Sequence, residues 1–167
     1  MTNKILHFAQ KGLVFSQDKK SLLFIKPTSK YMPDKLNGKP ALPGGKVDFG
    51  EEIDVACVRE IQEETGLLVK PGMPVYTWAW TYKKENQSVE IIAIARVCSL
   101  QSGEILENDK QEREIKINQV LWVPIDQINR EDCVEDEWPA IEFVIQNTIR
   151  ALEMLSIEFV KTNMFKV

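Results

Sequence analysis

Three glutamates lie at spacings that would bring their carboxylates onto one face of a helix. Glu60, Glu63 and Glu64 stand at positions i, i+3 and i+4, and residues so spaced are neighbours on a helix surface. A hard divalent cation would turn such a cluster into a binding site, because Mg²⁺ prefers oxygen ligands. Acidic helix faces are also common as plain solvated surfaces. The spacing alone therefore leaves both interpretations open.

Glycines bracket the helix that must carry these carboxylates, which we predict at about residues 52–65. Apolar residues recur at helical spacing within it, which favours one buried face. Gly44 and Gly45 precede it and permit a tight turn and close backbone approach to a ligand. Gly66 follows in the position of a C-cap glycine. A plain surface helix needs no glycine pair before it, so this punctuation favours a binding site.

Arg59 is the basic residue placed to organise the acidic cluster. It can pair with Glu63 one turn later on the helix, or with Glu51 folding back from the preceding loop. Glu51 also lies near the helix N-terminus, where the macrodipole favours negative charge. The sequence does not choose between these two partners.

The remaining elements form an alternation of strands and helices that favours a mixed sheet covered by helices. Two strands with a core-forming apolar pattern open the chain, and a polar loop follows at 27–40. A charged loop precedes a short strand, and an amphipathic helix ends the pattern. The predicted strands are 4–16, 20–26, 67–70, 75–82, 88–99 and 120–124, with the charged loop at 101–118 and the last helix at 138–160.

Composition limits the classes of protein that fit. A length of 167 residues predicts a single domain spanning 1–167. The net charge of -4 gives no case for general nucleic-acid binding. No run approaches the roughly 18 apolar residues of a membrane span, and three dispersed cysteines are typical of buried thiols in a reducing compartment. We therefore expect a cytoplasmic protein. With a single histidine, His7, any catalysis is expected to rely on carboxylates.

The segment GKVDFGEEIDVACVREIQEETGL resembles the Nudix box at every constrained position. The pattern is Gly-x5-Glu-x7-Arg-Glu-aliphatic-x-Glu-Glu-x-Gly-aliphatic, with Ile61 and Leu67 as the aliphatic residues. Leu42-Pro43-Gly44 is similar to the family's usual approach to the box. The motif covers 23 residues and is highly specific, whereas the resemblance of the rest of the chain is weaker.

The resemblance to the Nudix (MutT-like) hydrolase family implies an α/β/α sandwich with a mixed central sheet. It implies metal-dependent hydrolysis, with Mg²⁺ or Mn²⁺, of a nucleoside diphosphate linked to another group. Many members of the family are homodimers, which makes a homodimer one expected state. The implied metal ligands are Glu60, Glu64, Glu63 and the carbonyl of Gly45, with Arg59 as a catalytic-site organiser and Glu51, Gly44 and Gly66 as structural support.

The general base and the substrate contacts are open at this point. Glu63 is the candidate base within the box, and Glu112 and Glu114 are the candidates on a distant loop, where a solvated charge run is the alternative. Trp78 and Trp80 can stack on a nucleobase, although aromatic residues on one strand face commonly cover a sheet. Lys39, Lys46 and Arg96 are candidate phosphate contacts, against the default of solvated side chains.

Three functions follow as competing hypotheses. The first is hydrolysis of a free nucleotide, such as a nucleoside triphosphate or an oxidised one, to the monophosphate. The second is hydrolysis of ADP-ribose or another nucleotide sugar, for which the box is the same. The third is a non-catalytic nucleotide-sensing module, against which the intact run from Arg59 to Glu64 argues. An RNA-processing enzyme lacks support because the chain has no obvious basic stripe.

Overall fold

The fold is that of a computed structural model, which describes residues 3–28, 38–84, 86–106 and 116–148. Five strands and two α-helices make up this part of the chain, and three short 3₁₀ turns lie between the last strand and the last helix. The strands are β1 (Asn3–Val14), β2 (Ser21–Thr28), β3 (Leu67–Lys84), β4 (Gln87–Gly103) and β5 (Lys116–Pro124), and the helices are α1 (Ile53–Thr65) and α2 (Trp138–Gln146).

The strands form two sheets. The first has the order β1-β4-β3, with β1 parallel and β3 antiparallel to β4. The second pairs β2 with β5 in antiparallel orientation. A single bridge between Phe15 and Leu22 connects the end of β1 to the start of β2. The predicted mixed sheet is thus confirmed, and its two parts are joined at this corner.

Alternate residues of β1 face two different layers. Val14 packs with Cys57 and Ile61 of α1 in one buried cluster. Leu13 packs with Ile141 and Val144 of α2 in another. The two helices therefore cover opposite faces, and the α/β/α sandwich predicted from the resemblance is confirmed.

Helix α1 has the punctuation that the sequence predicts. Glu52 before it is extended, and Gly66 after it takes the left-handed conformation at φ 81°. The Gly66 N–H donates to the carbonyl of Gln62 and closes the last turn. The buried face of α1 consists of Ala56, Cys57, Ile61 and Thr65. This face fixes the direction in which the carboxylates of the last two turns project.

The segment 41–47, which precedes α1 in the chain, runs antiparallel alongside β1. Ala41 bridges Ile25 of β2, and Lys46 bridges Ala9 of β1. Three backbone hydrogen bonds tie the segment to β1, from Gly12 N–H to the Pro43 carbonyl, from Gln10 N–H to the Gly45 carbonyl, and from Val47 N–H to the Phe8 carbonyl. The glycine pair before α1 is therefore held like part of a sheet.

One strand prediction was wrong. Residues 67–70 and 75–82 belong to the single strand β3, which continues through Pro71 and Pro74 with shifts of register. The two prolines are tolerated because β3 is the end strand in the order β1-β4-β3, and an edge strand does not need every N–H.

Other boundaries moved by a few residues. β2 runs to Thr28, β4 runs to Gly103 and β5 begins at Lys116, so these strands include the end residues of both predicted loops. Helix α2 is observed over Trp138–Gln146 with Asn147 as its C-cap, and residues 149–160 of the predicted helix lie outside the described residues. Neither helix in the described part of the chain has the length and apolar content that crossing a bilayer requires.

Candidate functional site

The Gly44–Gly45 pair brings the backbone into contact with the carboxylates of α1. Gly44 has φ 122°, and a Cβ there would overlap the carbonyl oxygen of Gln10. A Cβ on Gly45 would lie 2.5 Å from Oε2 of Glu60. The N–H of Gly44 donates to Oε2 of Glu64 at 2.6 Å. Gly44 is needed because the backbone of β1 leaves no room for a Cβ, whereas a Cβ on Gly45 would displace the Glu60 carboxylate.

Arg59 connects the loop before α1 to the acidic face of the helix. Its Nε and Nη2 donate to the two carboxylate oxygens of Glu51 at 2.7 and 2.9 Å. Its Nη1 donates to Oε1 of Glu60 at 2.8 Å and lies 3.7 Å from Oε2 of Glu63. Nη2 also reaches the Lys46 carbonyl at 3.1 Å. The fork contact to Glu51 answers the question that the sequence left open, with Glu63 as a more distant partner.

The electrostatic consequence is clearest at Glu51. The hydrogen bonds from Arg59, followed by the one from the Asp48 N–H, lower the pKa of the Glu51 carboxyl from 4.5 to about 2. The same contact to Glu51 raises the pKa of Arg59 above its already high value. Glu51 therefore stays ionised at any neutral or mildly acidic pH, and it holds the loop against the helix as a permanent charge pair.

The arrangement fits a hard cation in its donor chemistry. Glu60, Glu63 and Glu64 supply carboxylate oxygens on adjacent turns, and the Gly45 carbonyl, which accepts one hydrogen bond from Gln10, retains a second lone pair. Glu60 is currently held by Arg59, and Glu64 by the Gly44 N–H. In the described part of the chain no three His, Cys, Asp or Glu side chains converge on one point. Binding a cation there requires these carboxylates to turn from their protein donors.

A shallow hollow of about 690 Å³ lies along the outer face of α1, next to Arg59 and Glu63. Its apolar surface includes Val55 and Leu106, which are 57% and 44% exposed. An apolar surface beside charged groups is a common composition for a site that accepts an organic anion.

The candidate substrate residues lie on the sheet face away from α1. Trp78 and Trp80 are half-buried on β3, with ring centroids 6.3 Å apart, and pack against the cluster that contains Ala9. Because Ala9 and Gly12 are an odd number of residues apart on β1, this cluster is on the face away from α1. Lys46 bridges Ala9, so its exposed side chain projects to the same face as Ala9, while its backbone carbonyl accepts from Arg59.

The predicted phosphate contact Arg96 and the predicted distant bases have different outcomes. Arg96 on β4 is paired with Asp54 in the first turn of α1, so its guanidinium is engaged by this carboxylate in the structure. Glu112 and Glu114 lie outside the described residues, so the distant-base prediction stays a prediction.

Sequence reasoning missed two features next to the site. Gln10 is fully buried within β1. Glu137 is buried at the start of α2, where it accepts a 2.6 Å hydrogen bond from the Leu42 N–H and lies 3.6 Å from Nζ of Lys11. The available signal was a polar or charged residue in an otherwise apolar strand, at Gln10 and Lys11. The partners of Lys11 and the residue opposite Gln10 are distant in sequence and could not be read from spacing.

Comparison with known proteins agrees with the fold and the box. Residues 7–143 match the NUDIX domain family, and the chain belongs to this family of hydrolases, which act on pyrophosphate bonds. Nudix hydrolases generally use divalent metal ions and act on small-molecule nucleotide substrates.

Individual relatives differ in what their names say. The chain is 31% identical over 96 residues to an ADP-ribose pyrophosphatase of Methanocaldococcus jannaschii, a match that covers 58% of this chain and 53% of that protein. The chain thus spans about half the length of this curated relative. Among solved structures, a MutT NUDIX hydrolase from Burkholderia pseudomallei has TM-score 0.62 and 21% identity over 82% of this chain and 96% of its own. A MutT protein from Methanosarcina mazei has TM-score 0.60 and 19% identity over 87% and 96%. These two structures show the fold.

Proposed function

We propose that this chain is a Mg²⁺- or Mn²⁺-dependent pyrophosphohydrolase that cleaves a nucleoside diphosphate linked to another group. The observation that carries the proposal is the Arg59 contact to Glu51 and Glu60, which fixes the carboxylates of α1 against the Gly44–Gly45 backbone. A surface helix gains little from such a fixed arrangement, since exposed ion pairs contribute little to stability. A phosphate-and-cation site requires the helix and the glycine loop to be held at a fixed separation, and the Arg59–Glu51 contact provides this.

The proposed role of each site residue follows from its position. Glu60, Glu64, Glu63 and the Gly45 carbonyl would hold the cation, which when bound neutralises phosphate charge and acidifies a water. Arg59 and Glu51 keep the helix and the loop at a fixed separation. Glu63 is the candidate base within the described residues, because its side chain is 39% exposed at the end of the acidic face. Glu112 and Glu114 are the alternative bases.

The first candidate substrate is a nucleoside triphosphate or its oxidised form, with the monophosphate as product. ADP-ribose or a nucleotide sugar is the second candidate, and the 31% identity to an ADP-ribose pyrophosphatase supports it. Trp78, Trp80 and Lys46 are the proposed substrate contacts for either class, and they would reach the substrate from the sheet face opposite to α1. The proposal includes a cytoplasmic location, which the buried free cysteines Cys57, Cys98 and Cys133 support, and a homodimer is the oligomeric state to test.

The metal-ligand assignment has a direct test in Glu64→Gln. We expect this variant to lose at least about 100-fold in turnover, because a neutral amide is a poorer Mg²⁺ ligand than a carboxylate. The measurement is product release from nucleoside triphosphates, ADP-ribose, nucleotide sugars and dinucleoside polyphosphates, with Mg²⁺ or Mn²⁺ and again after adding EDTA.

Glu142→Gln is the matched control, since Glu142 is an exposed carboxylate on α2 and should leave turnover unchanged. Full activity of Glu64→Gln would refute the assignment of Glu64. Turnover of none of the substrates by the unaltered protein would favour the nucleotide-sensing module instead.

A further inference from the structure

Gln10 is a fully buried amide whose two polar atoms lack partners. Its relative exposure is 0%, and neither Nε2 nor Oε1 has a hydrogen-bond partner among the described residues. Burying an amide in this way is unfavourable unless another group satisfies it. In folded proteins such groups are nearly always paired with protein or with ordered water. The position of Gln10 therefore points to a bound species that completes its hydrogen bonds.

The strand register places Gln10 beside the carboxylate of Glu60. The N–H of Gln10 donates to the Gly45 carbonyl at 2.9 Å, and the Ala9–Lys46 bridge fixes the same antiparallel pairing. Gln10 and Gly45 are therefore directly opposite, and opposite residues project to the same face of a sheet. On that face a Cβ at Gly45 would lie 2.5 Å from Glu60 Oε2. The amide of Gln10 and the carboxylate of Glu60 thus share one side of the Gly45 backbone.

Gly12, two residues along β1, confirms which layer this is. A Cβ there would lie 2.5 Å from Cδ1 of Ile61, the α1 residue that follows Glu60. Gln10 has the same orientation as Gly12 because strand side chains alternate with a period of two. The amide therefore occupies the layer between β1 and α1, which the carboxylates of Glu60 and Glu64 border.

We propose that Gln10 is a positioning residue for the divalent cation, binding a water of the cation's hydration shell through its carboxamide. This inference rests on the proposed function, since it requires a cation held by Glu60, Glu64 and the Gly45 carbonyl. Mg²⁺ and Mn²⁺ keep several waters when bound through few carboxylates. A carboxamide suits such a water, because Oε1 can accept a hydrogen bond from it while Nε2 remains free to donate to a neighbouring carboxylate oxygen. Groups that hold metal ligands or their waters set metal affinity.

The test compares Mn²⁺ binding by Gln10→Met with that of the unaltered protein. Methionine keeps the unbranched shape and removes both polar atoms, so we expect about 10-fold weaker Mn²⁺ binding. Titration followed by electron paramagnetic resonance gives the affinity without any substrate. Water proton relaxation of the bound Mn²⁺ reports its hydration, and we expect a change in the exchange rate of the bound water. Gln119→Met, at an exposed position of β5, is the control and should alter neither.

The thermal midpoint separates this role from a structural one. Removing an unpaired buried amide should leave the midpoint of the metal-free protein unchanged or higher. Unchanged Mn²⁺ affinity and relaxation in folded Gln10→Met would overturn the inference while leaving the proposed function intact. If Gln10→Met does not fold, the same measurements on Gln10→Leu decide the matter. Failure of the unaltered protein to bind Mn²⁺ would refute the cation site itself, and the Gln10 role with it.

Discussion

At the scale of single residues, Arg59 is the group on which the site depends most. One guanidinium reaches Glu51, Glu60 and the Lys46 carbonyl, with Glu63 slightly farther away. Lysine could not replace it, because an ammonium group cannot form the two-pronged contact that both oxygens of Glu51 accept. The acidic face is therefore better described by the groups that surround the Arg59 guanidinium than as three glutamates facing solvent. These groups are Glu51, Glu60, Glu63 and the Lys46 carbonyl.

The depressed pKa of Glu51 predicts a specific pH dependence of stability. The folded-state pKa is about 2, against 4.5 for the ordinary carboxyl. The unfolded state binds the proton more readily, so the contribution of this contact is fully present above about pH 5. It is lost as the pH falls through 4.5 towards 2. We expect Glu51→Gln to reduce stability at neutral pH and to flatten the acid limb of the stability profile over this window.

Denaturant unfolding between pH 2 and 7 measures that prediction. Glu52→Gln provides the comparison, since Glu52 is the neighbouring, exposed carboxylate with no side-chain capping bond. A parallel acid limb for Glu51→Gln and the unaltered protein would contradict a special role for the Arg59–Glu51 contact.

At the scale of elements, the site is formed where segment 41–47 lies between β1 and α1. The segment has no side-chain bulk at Gly44 or Gly45, which lets the Gly44 N–H reach Glu64. Sequence reasoning predicted α1, its Gly66 cap and the acidic face because these depend on spacings within about one or two turns. It could not predict Gln10, because the role of Gln10 depends on its register with Gly45, some 35 positions away along the chain.

Substitution of Gly44 by alanine tests the closeness of this packing. The backbone φ of 122° is strained for a residue with a Cβ, and the added atom would overlap the Gln10 carbonyl. We expect Gly44→Ala to destabilise the fold by about 2–3 kcal/mol and to weaken Mn²⁺ binding. Thermal or denaturant unfolding measures the first effect. Gly50→Ala is a useful comparison, because Gly50 also has positive φ, at 80°, but an added Cβ there would meet open space.

The comparison separates strain from contact. Gly50→Ala should be destabilised by its φ alone and should retain Mn²⁺ affinity. Equal losses of stability in the two variants, with Mn²⁺ affinity intact in both, would show that the close approach of Gly44 to β1 does not matter to the site.

At the scale of the whole molecule, a buried ion pair joins the site to the opposite layer. Lys11 projects from β1 towards α2, donates to the Leu42 carbonyl at 3.0 Å and lies 3.6 Å from Glu137. Glu137 in turn accepts from the Leu42 N–H across 95 residues of sequence. Both polar groups of the Leu42 backbone, two residues before Gly44, are thus hydrogen-bonded to this ion pair. Residue spacing gave no indication of this contact, which exists only once α2 has packed on the sheet.

Burial decides the electrostatics of Glu137. Desolvation raises the pKa of its carboxyl, and the charge of Lys11 and the Leu42 N–H offset this only in part. Because this pKa is raised in the folded state, the pH dependence of stability that it causes is opposite to that of Glu51. Proton binding here favours the folded state, so this group weakens stability as the pH rises above 4.5. The pair is therefore retained at a cost, which its role in fixing Leu42 can explain.

A double-mutant cycle over Lys11 and Glu137 tests this link between the layers. Lys11→Met leaves a buried carboxylate without its cation, and we expect it to lower the free energy of unfolding by about 3–5 kcal/mol at pH 7. Glu137→Gln should cost less, because the amide oxygen still accepts from Leu42. The double variant should recover part of the loss, since no uncompensated charge remains. Chemical denaturation of the four proteins gives the coupling energy, and Mn²⁺ titration reports the affinity of the site.

Additive losses of stability would show that the two charges act independently. Unchanged Mn²⁺ affinity in a folded double variant would show that the position of Leu42 does not control the glycine pair. A coupled loss of both stability and Mn²⁺ affinity is what the geometry predicts, because the same Leu42 backbone that Glu137 and Lys11 hold leads directly into Gly44 and Gly45.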